Sequence, residues 1–493
     1  PEGMIMVVQE LLWNSVRNRP DRPAVSDRTE RLRWSELGAR VAATADELTD
    51  LGVRPGDRVV ALAGPCVRTV VLMWAVLELG AVFVPLHPGL TRMQVDHVVN
   101  DCDARVVVAD GPAGAPLAGG RRVIDLADLP RVSATPRPRR ATTSENAPAL
   151  LIYTSGTTGN PKGVVCPHRQ VRAAVESIGS CLGYRSDDVI ACRLPLAFDY
   201  GLYQLLLAAD CGAEVVIVSA AEDVRLLRII VERGVTVVPL VPSLARMLIA
   251  LHRHRPVGTV LRLVTNTGAR MAPALMEEFL ERFPRVQYAS MYGMTECKRI
   301  SILPTNEWRA HPESVGRAIP GDEILILDEN GEPVGTGHPG EIVVRGRTVM
   351  SGYWGVPMEA QDRYRRAPDG SVELHTGDRG RLDDTGRLFF MGRNDDIVKR
   401  HGIRISLNEI ESAAERVEGV DAAVALHPSG PSEGLTLCFT GPADPDSLGI
   451  TLEEFLDQAR APDRIIRMDS IPLTHNAKPD RRQLENLCLG TVS

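Results

Sequence analysis

The chain has 493 residues, is 44% hydrophobic and 24% charged, and carries a formal net charge of −7. A chain of this length exceeds what one compact core organises and predicts two or more domains. The acidic balance sets nucleic acid aside as a partner, and no uninterrupted apolar run reaches the roughly 20 residues that span a bilayer, so no membrane association is expected.

The first periodic segment, "RLRWSELGARVAATADELTDLGV", has helical spacing around Leu37, Val41, Ala45 and Leu48 and ends at Gly52, a residue suited to a C-cap. "DRVVALAG" reads as a buried strand, and "VRTVVLMWAVLELGAVFVPL" as a helix followed by a second strand. The alternation returns at "ARVVVAD", at "AEVVIVSA" with "DVRLLRIIVERGV", and at "TVVPLVP", which predicts parallel sheets covered on both faces. Residues 111–148, rich in Pro, Gly, Arg and Thr, read as a surface excursion. After about residue 320 the pattern changes: "DEILILDENGEPVGTGHPGEIVVRG" and "GRLDDTGRLFFMGR" each predict two strands joined by a polar turn, a smaller antiparallel unit. From Asp395, "DDIVKRHGIRISLNEIESAAERVEGVDAAVALH" predicts strand, helix and strand, the start of a separate α+β domain. The expected division is therefore 1–394 and 395–493, with a hinge near Asp395.

Several stretches are decoys. "GTGHPG", Gly335 to Gly340, matches the dinucleotide pattern, but Pro339 sits inside it and a strand follows, so it reads as a turn. "HRHR" at His252 to Arg255 reads as a solvated helix end, and no His/Cys cluster has zinc-ligand spacing. The scattered cysteines include Cys66, Cys102, Cys166, Cys192 and Cys297, with no C-x-x-C pair. They read as reduced thiols of a cytoplasmic protein, most of them small buried apolar side chains. The opening stretch does not read as a basic leader followed by a cleavage site, so no secretory signal is expected.

The chemistry concentrates in "LIYTSGTTGNPKGVV", Leu151 to Val165. It fails the Walker pattern, yet Gly156 and Gly159 let backbone N–H groups converge on an anion, Thr154, Ser155, Thr157 and Thr158 offer hydroxyls, and Lys162 adds a charge. A phosphate is the fitting ligand, while a Gly/Thr surface turn is the alternative for such a stretch taken alone. "MYGMTE" (Met291 to Glu296), "HTGD" (His375 to Asp378), "GRNDDIVKRHGIRIS" (Gly392 to Ser406) and "LTHNAKPDRRQL" (Leu473 to Leu484) follow in that order.

Together these stretches resemble the adenylate-forming enzymes: acyl- and aryl-CoA synthetases, nonribosomal peptide adenylation domains and luciferases. The resemblance implies an α/β fold with a large N-terminal domain of two parallel-rich sheets, a smaller antiparallel unit and a small mobile α+β C-terminal domain. It implies attack of a carboxylate on the α-phosphate of ATP, release of pyrophosphate, and transfer of the acyl group to a thiol. By that resemblance Glu296 would ligate Mg²⁺ and Thr295 would hydrogen-bond the α-phosphate. Tyr292 and Gly293, with Gly268 and Ala269, would border the nucleotide. Asp378 would accept the ribose hydroxyls, supported by Arg393. Lys478 would bridge the substrate carboxylate and the nucleotide, although Ala477 stands where glycine is usual. Rotation about Asp395 would exchange Lys478 for the 399–406 loop, and Gly402 would line the thiol channel.

The acid pocket falls in "RLPLAFDYGLYQLLLAADCGAEVVI". In amino-acid-activating relatives an F-D aspartate here binds the substrate ammonium, which would be Asp199, preceded by Phe198. The alternative is an N-cap on the helix beginning near Tyr200. Lys298 and Arg299 have two readings as well: a site for a second carboxylate on an acidic substrate, as in ligases for β-amino acids, or pairing with the protein's own acids. Met294, where peptide-synthetase domains usually carry proline, and the short C-terminus point to a free-standing ligase served by a phosphopantetheinyl carrier protein in trans. CoA as acceptor, in an aryl- or acyl-CoA ligase, and an amine, in an amide synthetase, stay open.

Overall fold

The computed structural model describes residues 7–111, 121–130, 143–155, 161–367, 370–393, 397–400, 403–426, 434–456, 461–474 and 479–489. Two α/β layers share one large core. In the first sheet, six strands run in the order Arg122–Asp125, Val106–Ala109, Arg58–Leu62, Val82–Leu86, Pro148–Ser155, Pro161–Pro167. All neighbours are parallel except the last pair, joined through the Gly/Thr-rich loop as an antiparallel hairpin. The alternation of side chains separates two apolar sets, as a period of two requires. Val59, Ala61 and Phe83 face the large core, while Val60, Val82 and Val84 face a smaller one closed by the helix Arg92–Asp101.

The second sheet has nine strands with a parallel centre: Gln287–Tyr292, Leu263–Asn266, Val237–Leu240, Val189–Cys192, Glu214–Ile217 and Pro23–Ser26 lie side by side in that order. The helix Val67–Glu78, apolar on nearly every side and buried along almost its whole length, lies in the core common to both sheets, as an all-round hydrophobic helix must. A five-stranded antiparallel unit follows, built on Asp322–Leu327, Gly340–Gly346 and the long strand Val372–Leu382, which pairs with Leu388–Arg393. "GTGHPG" forms the turn leading into the strand at Gly340. Beyond it, Leu407, Ile410, Ala425, Leu437, Phe439 and Leu452 belong to a separate core cluster within a smaller α+β domain, with strands Ala422–Leu426, Thr436–Thr440 and Arg464–Arg467.

Two expectations need correcting. The 111–148 excursion contains the strand Arg122–Asp125, which pairs with Val106–Ala109 and so extends the first sheet. The segment after Asp395 opens as a hairpin, Ile397–Arg400 against Ile403–Ser406, before the helix Leu407–Ala414, so there are two short strands where one was expected. All nine cysteines are free. No helix among the described residues is long and apolar enough to cross a membrane.

Candidate active site

Three strands of the second sheet deliver the site from their carboxyl ends, the place where open α/β sheets hold ligands. Val189–Cys192 leads through Leu194–Phe198 to the helix Asp199–Cys211, Leu263–Asn266 leads into Thr267-Gly268-Ala269, and Gln287–Tyr292 runs into Gly293–Arg299. Phe198 lies against Gly268, which has a left-handed φ of 82°. The helix begins close to the preceding turn because Gly201 has no side chain: a Cβ there would stand 2.4 Å from Pro195 O. Asp199 is the first residue of that helix and 4% exposed. The N-cap is Phe198, with no side-chain capping bond, so the capping alternative for Asp199 is not what the fold adopts. The Asp199 carboxylate makes no hydrogen bond or ion pair with any described residue, and its charge acts on the Cys166 thiol and the Tyr203 phenol.

The segment 293–299 folds back on itself. Cys297 N and Lys298 N both donate to Met294 O, at 3.1 and 2.7 Å, and Ile300 N donates to Tyr292 O at 2.8 Å. Closing this loop places Lys298 in the left-handed region, φ 63°, a conformation uncommon for a non-glycine residue and found often at functional sites. It also requires Gly293, whose Cβ would lie 2.3 Å from Lys298 O. The reversal turns both cations inward: Lys298 is 0% and Arg299 4% exposed. Lys298 Nζ donates to Cys166 Sγ at 3.3 Å and lies 5.8 Å from the Tyr203 ring centre. Arg299 stacks over Tyr200 at 4.8 Å and donates from Nη1 to Lys298 O at 2.6 Å, while its Nε and the Tyr203 hydroxyl have no hydrogen-bond partner among the described residues. Neither cation forms an ion pair with a carboxylate among the described residues, so the reading in which they pair with the protein's own acids finds no support there. Two buried cations without an ion-pair partner are costly unless an anion arrives.

A second group of polar side chains lies around Glu296 and Asp378. Thr295 and Glu296 are 9% and 6% exposed. Tyr353 donates its hydroxyl to Glu296 Oε1 at 2.6 Å, leaving Oε2 available. Burial, then the Glu296 charge, pushes the Tyr353 phenol well up, so it stays a donor. Lys162 Nζ stands 5.6 Å from the Tyr353 ring, which links the end of the first sheet to Glu296. Tyr292 donates to Asp378 Oδ2 at 2.5 Å, and Arg393 Nε lies 3.4 Å from Asp378 Oδ1. Tyr292 also packs 5.3 Å from Phe390, ring to ring. One buried carboxylate with an unengaged oxygen suits an ion shared with phosphate oxygens, since Mg²⁺ takes one or two protein carboxylates and keeps its other positions for water and phosphate. No cluster of three or more metal-binding side chains occurs among the described residues.

Thr154 and Ser155 end the strand Pro148–Ser155 and pair with Lys162 and Pro161. Gly156, Thr157, Thr158, Gly159, Asp395, Gly402 and Lys478 lie outside the described residues. Sequence reading missed Tyr353, Cys166 and Tyr203. The first stands 57 residues from its partner Glu296 and the second 132 from Lys298, and no local spacing signals either.

A family model described as "AMP-binding enzyme" matches residues 12–354. SyrB1, the syringomycin synthase of Pseudomonas syringae pv. syringae, is 28% identical over 514 residues, covering 98% of this chain and 82% of that protein. PhsB, a phosphinothricin tripeptide synthetase of Streptomyces viridochromogenes, is 30% identical over 507 residues, covering 97% of this chain and 42% of that protein. Among solved structures, VinN is similar at 36% identity with a TM-score of 0.73, covering 78% of this chain and 98% of VinN. VinN has also been solved in complex with L-aspartate. The match over most of the chain makes this protein a member of the AMP-binding enzyme family, an AMP-forming ligase that adenylates a carboxylic acid.

Proposed function

We propose that the acid is an amino acid bearing a second carboxylate, and that its acyl group passes from the adenylate to the phosphopantetheine thiol of a carrier protein supplied in trans. The observation that supports the acid's identity is the charge pattern of one buried pocket: Asp199 without a cation, and Lys298 with Arg299 without a carboxylate. An ammonium would meet the first and a side-chain carboxylate the second. The L-aspartate complex of VinN agrees with this reading.

The barrier to adenylation is repulsion between a carboxylate and a triphosphate, so fixed cations and N–H donors are what lower it. In this reading the 154–159 loop and Lys162 hold the β- and γ-phosphates, Thr295 contacts the α-phosphate, and Gly268, Ala269, Tyr292 and Gly293 border the nucleoside. Asp378, held by Tyr292 and Arg393, accepts the ribose hydroxyls. Magnesium, when bound, supplies positive charge to the phosphate oxygens, and Glu296 is the residue that would hold it. Lys478 brings a further cation to the reacting carboxylate. The 395–493 segment would turn about Asp395 after pyrophosphate leaves, with Gly402 beside the incoming thiol.

The test is acid-dependent ATP–pyrophosphate exchange with α-amino, β-amino, acidic, aryl and aliphatic acids, on the wild type and Asp199→Ala. Exchange should be confined to ammonium-bearing acids, highest with a second carboxylate, and reduced by about 100-fold or more in the variant. Preferred activation of benzoates or fatty acids, unaffected by Asp199→Ala, would replace this reading with that of a CoA ligase.

A further inference from the structure

Lys298 is a fully buried ammonium, and Cys166 Sγ is the side-chain atom it meets, at 3.3 Å. Cys166 stands on the strand Pro161–Pro167, whose alternation puts Lys162, Val164 and Cys166 on one face. The strand thus runs from Lys162, beside the Gly/Thr-rich loop, to Cys166, beside Lys298. It is fixed there by the antiparallel ladder in which Cys166 opposes Leu150. Cys166 is itself 0% exposed, and Asp199, Glu296 and Lys298 all act on its thiol electrostatically. Burial outweighs the pull of Lys298 and pushes the thiol up, so it stays a neutral S–H.

A carboxylate or an imidazole would be the ordinary partner for a buried lysine. A neutral thiol does something different. As a weak acceptor it takes one N–H of the ammonium and fixes its direction without cancelling its charge. The charge, held near the Tyr203 ring, is then left for a ligand.

We infer that Cys166 is a positioning residue for the acid pocket: its thiol orients the Lys298 ammonium toward the substrate's second carboxylate without forming an ion pair with it. The inference rests on the reading of Lys298 as the site of that carboxylate.

The experiment is ATP–pyrophosphate exchange with L-aspartate as the varied acid. It compares the wild type, Cys166→Ala, Cys166→Ser, Cys166→Asp and Lys298→Met, with a melting curve for each. Cys166→Ala should raise KM for L-aspartate about tenfold with kcat little changed, because the interaction lost is one of binding and orientation. Cys166→Ser, which restores a neutral acceptor, should return KM to within about threefold of the wild type. Cys166→Asp should raise KM the most, since it pairs the lysine internally. The proposal is overturned if Cys166→Ala has the wild-type KM, or if Ala and Ser lower kcat alike in step with their melting temperatures, the signature of a packing role. Lys298→Met separates the two layers of the argument. If it raises the L-aspartate KM and Cys166→Ala does not, only the role of Cys166 falls. If it too leaves KM unmoved, the second-carboxylate reading falls and the proposal with it.

Discussion

The two sides of the site handle buried charge in opposite ways. Around Asp378 and Glu296 each carboxylate already has a protein donor: Tyr292 and Arg393 on the one, Tyr353 on the other. Around Asp199, Lys298 and Arg299 the charges face a thiol, a backbone carbonyl and two aromatic rings, and none of the three forms an ion pair among the described residues. A group whose task is to sit still at a ligand common to the whole family can be locked by its neighbours. A group that must choose one acid among many is left unsatisfied, so that only a complementary ligand repays its burial. On the proposed function, the protein carries rigidity on one side and discrimination on the other.

The largest expected effect sharpens this contrast through rate. Glu296→Gln keeps the size of the side chain and removes its charge, and exchange should fall by about 10³-fold for every acid, with the ranking of acids unchanged. A panel in which the ranking shifts would mean that Glu296 discriminates between acids, and the two sides would not be separable.

Stability gives a test of opposite sign. Lys298→Met removes an uncompensated buried ammonium in favour of an apolar chain of similar length and should stabilise the fold by about 1–3 kcal/mol. Asp378→Ala strands the Tyr292 hydroxyl and Arg393 and should destabilise by about 1–3 kcal/mol. Thermal or urea unfolding of the two variants checks both signs. A loss of stability in Lys298→Met would mean that the lysine is a structural element of the turn at 293–299.

The sequence shows the nucleotide side well and the acid side poorly, for a physical reason. The elements proposed to meet the nucleotide are contiguous: hydroxyls and glycines in one loop, Thr295 and Glu296 in one turn, Asp378 in one strand. Alternating strands and helices made the parallel sheets legible too. What the sequence could not show was anything built by folding distant segments together. Asp199 could equally have been a helix cap until the cap proved to be Phe198. Lys298 and Arg299 could have been paired with the protein's own acids until the left-handed turn and Gly293 drove them inward with no ion pair among the described residues. Cys166 read as one more apolar cysteine, since a contact across 132 residues leaves no local trace. The strand at Arg122–Asp125 was hidden inside a polar segment because a short edge strand needs little apolar sequence.

A third way of burying a polar group sets the scale for the other two, and it yields the smallest effect. His168, at the start of the helix His168–Leu182, is 0% exposed. Its Nδ1 accepts a hydrogen bond from Val8 N at 3.1 Å, which fits the neutral tautomer. Burial lowers its pKa to about 4. The unfolded chain takes up this proton near pH 6.5 and the folded chain only near 4, so the imidazole's contribution is whole above 6.5 and drains away as pH falls through that window. The loss is on the order of 3 kcal/mol by pH 4. His168→Gln puts a neutral amide in the imidazole's place and removes the titration. Its melting temperature should therefore fall less steeply than the wild type's between pH 6.5 and 4, and the gap between the two curves isolates this group from the carboxylates that titrate in both. Parallel curves would mean that the imidazole is protonated inside the fold, and that an uncompensated buried cation is tolerated outside the acid pocket. That result would weaken the argument that Lys298 and Arg299 are unpaired for a ligand's sake.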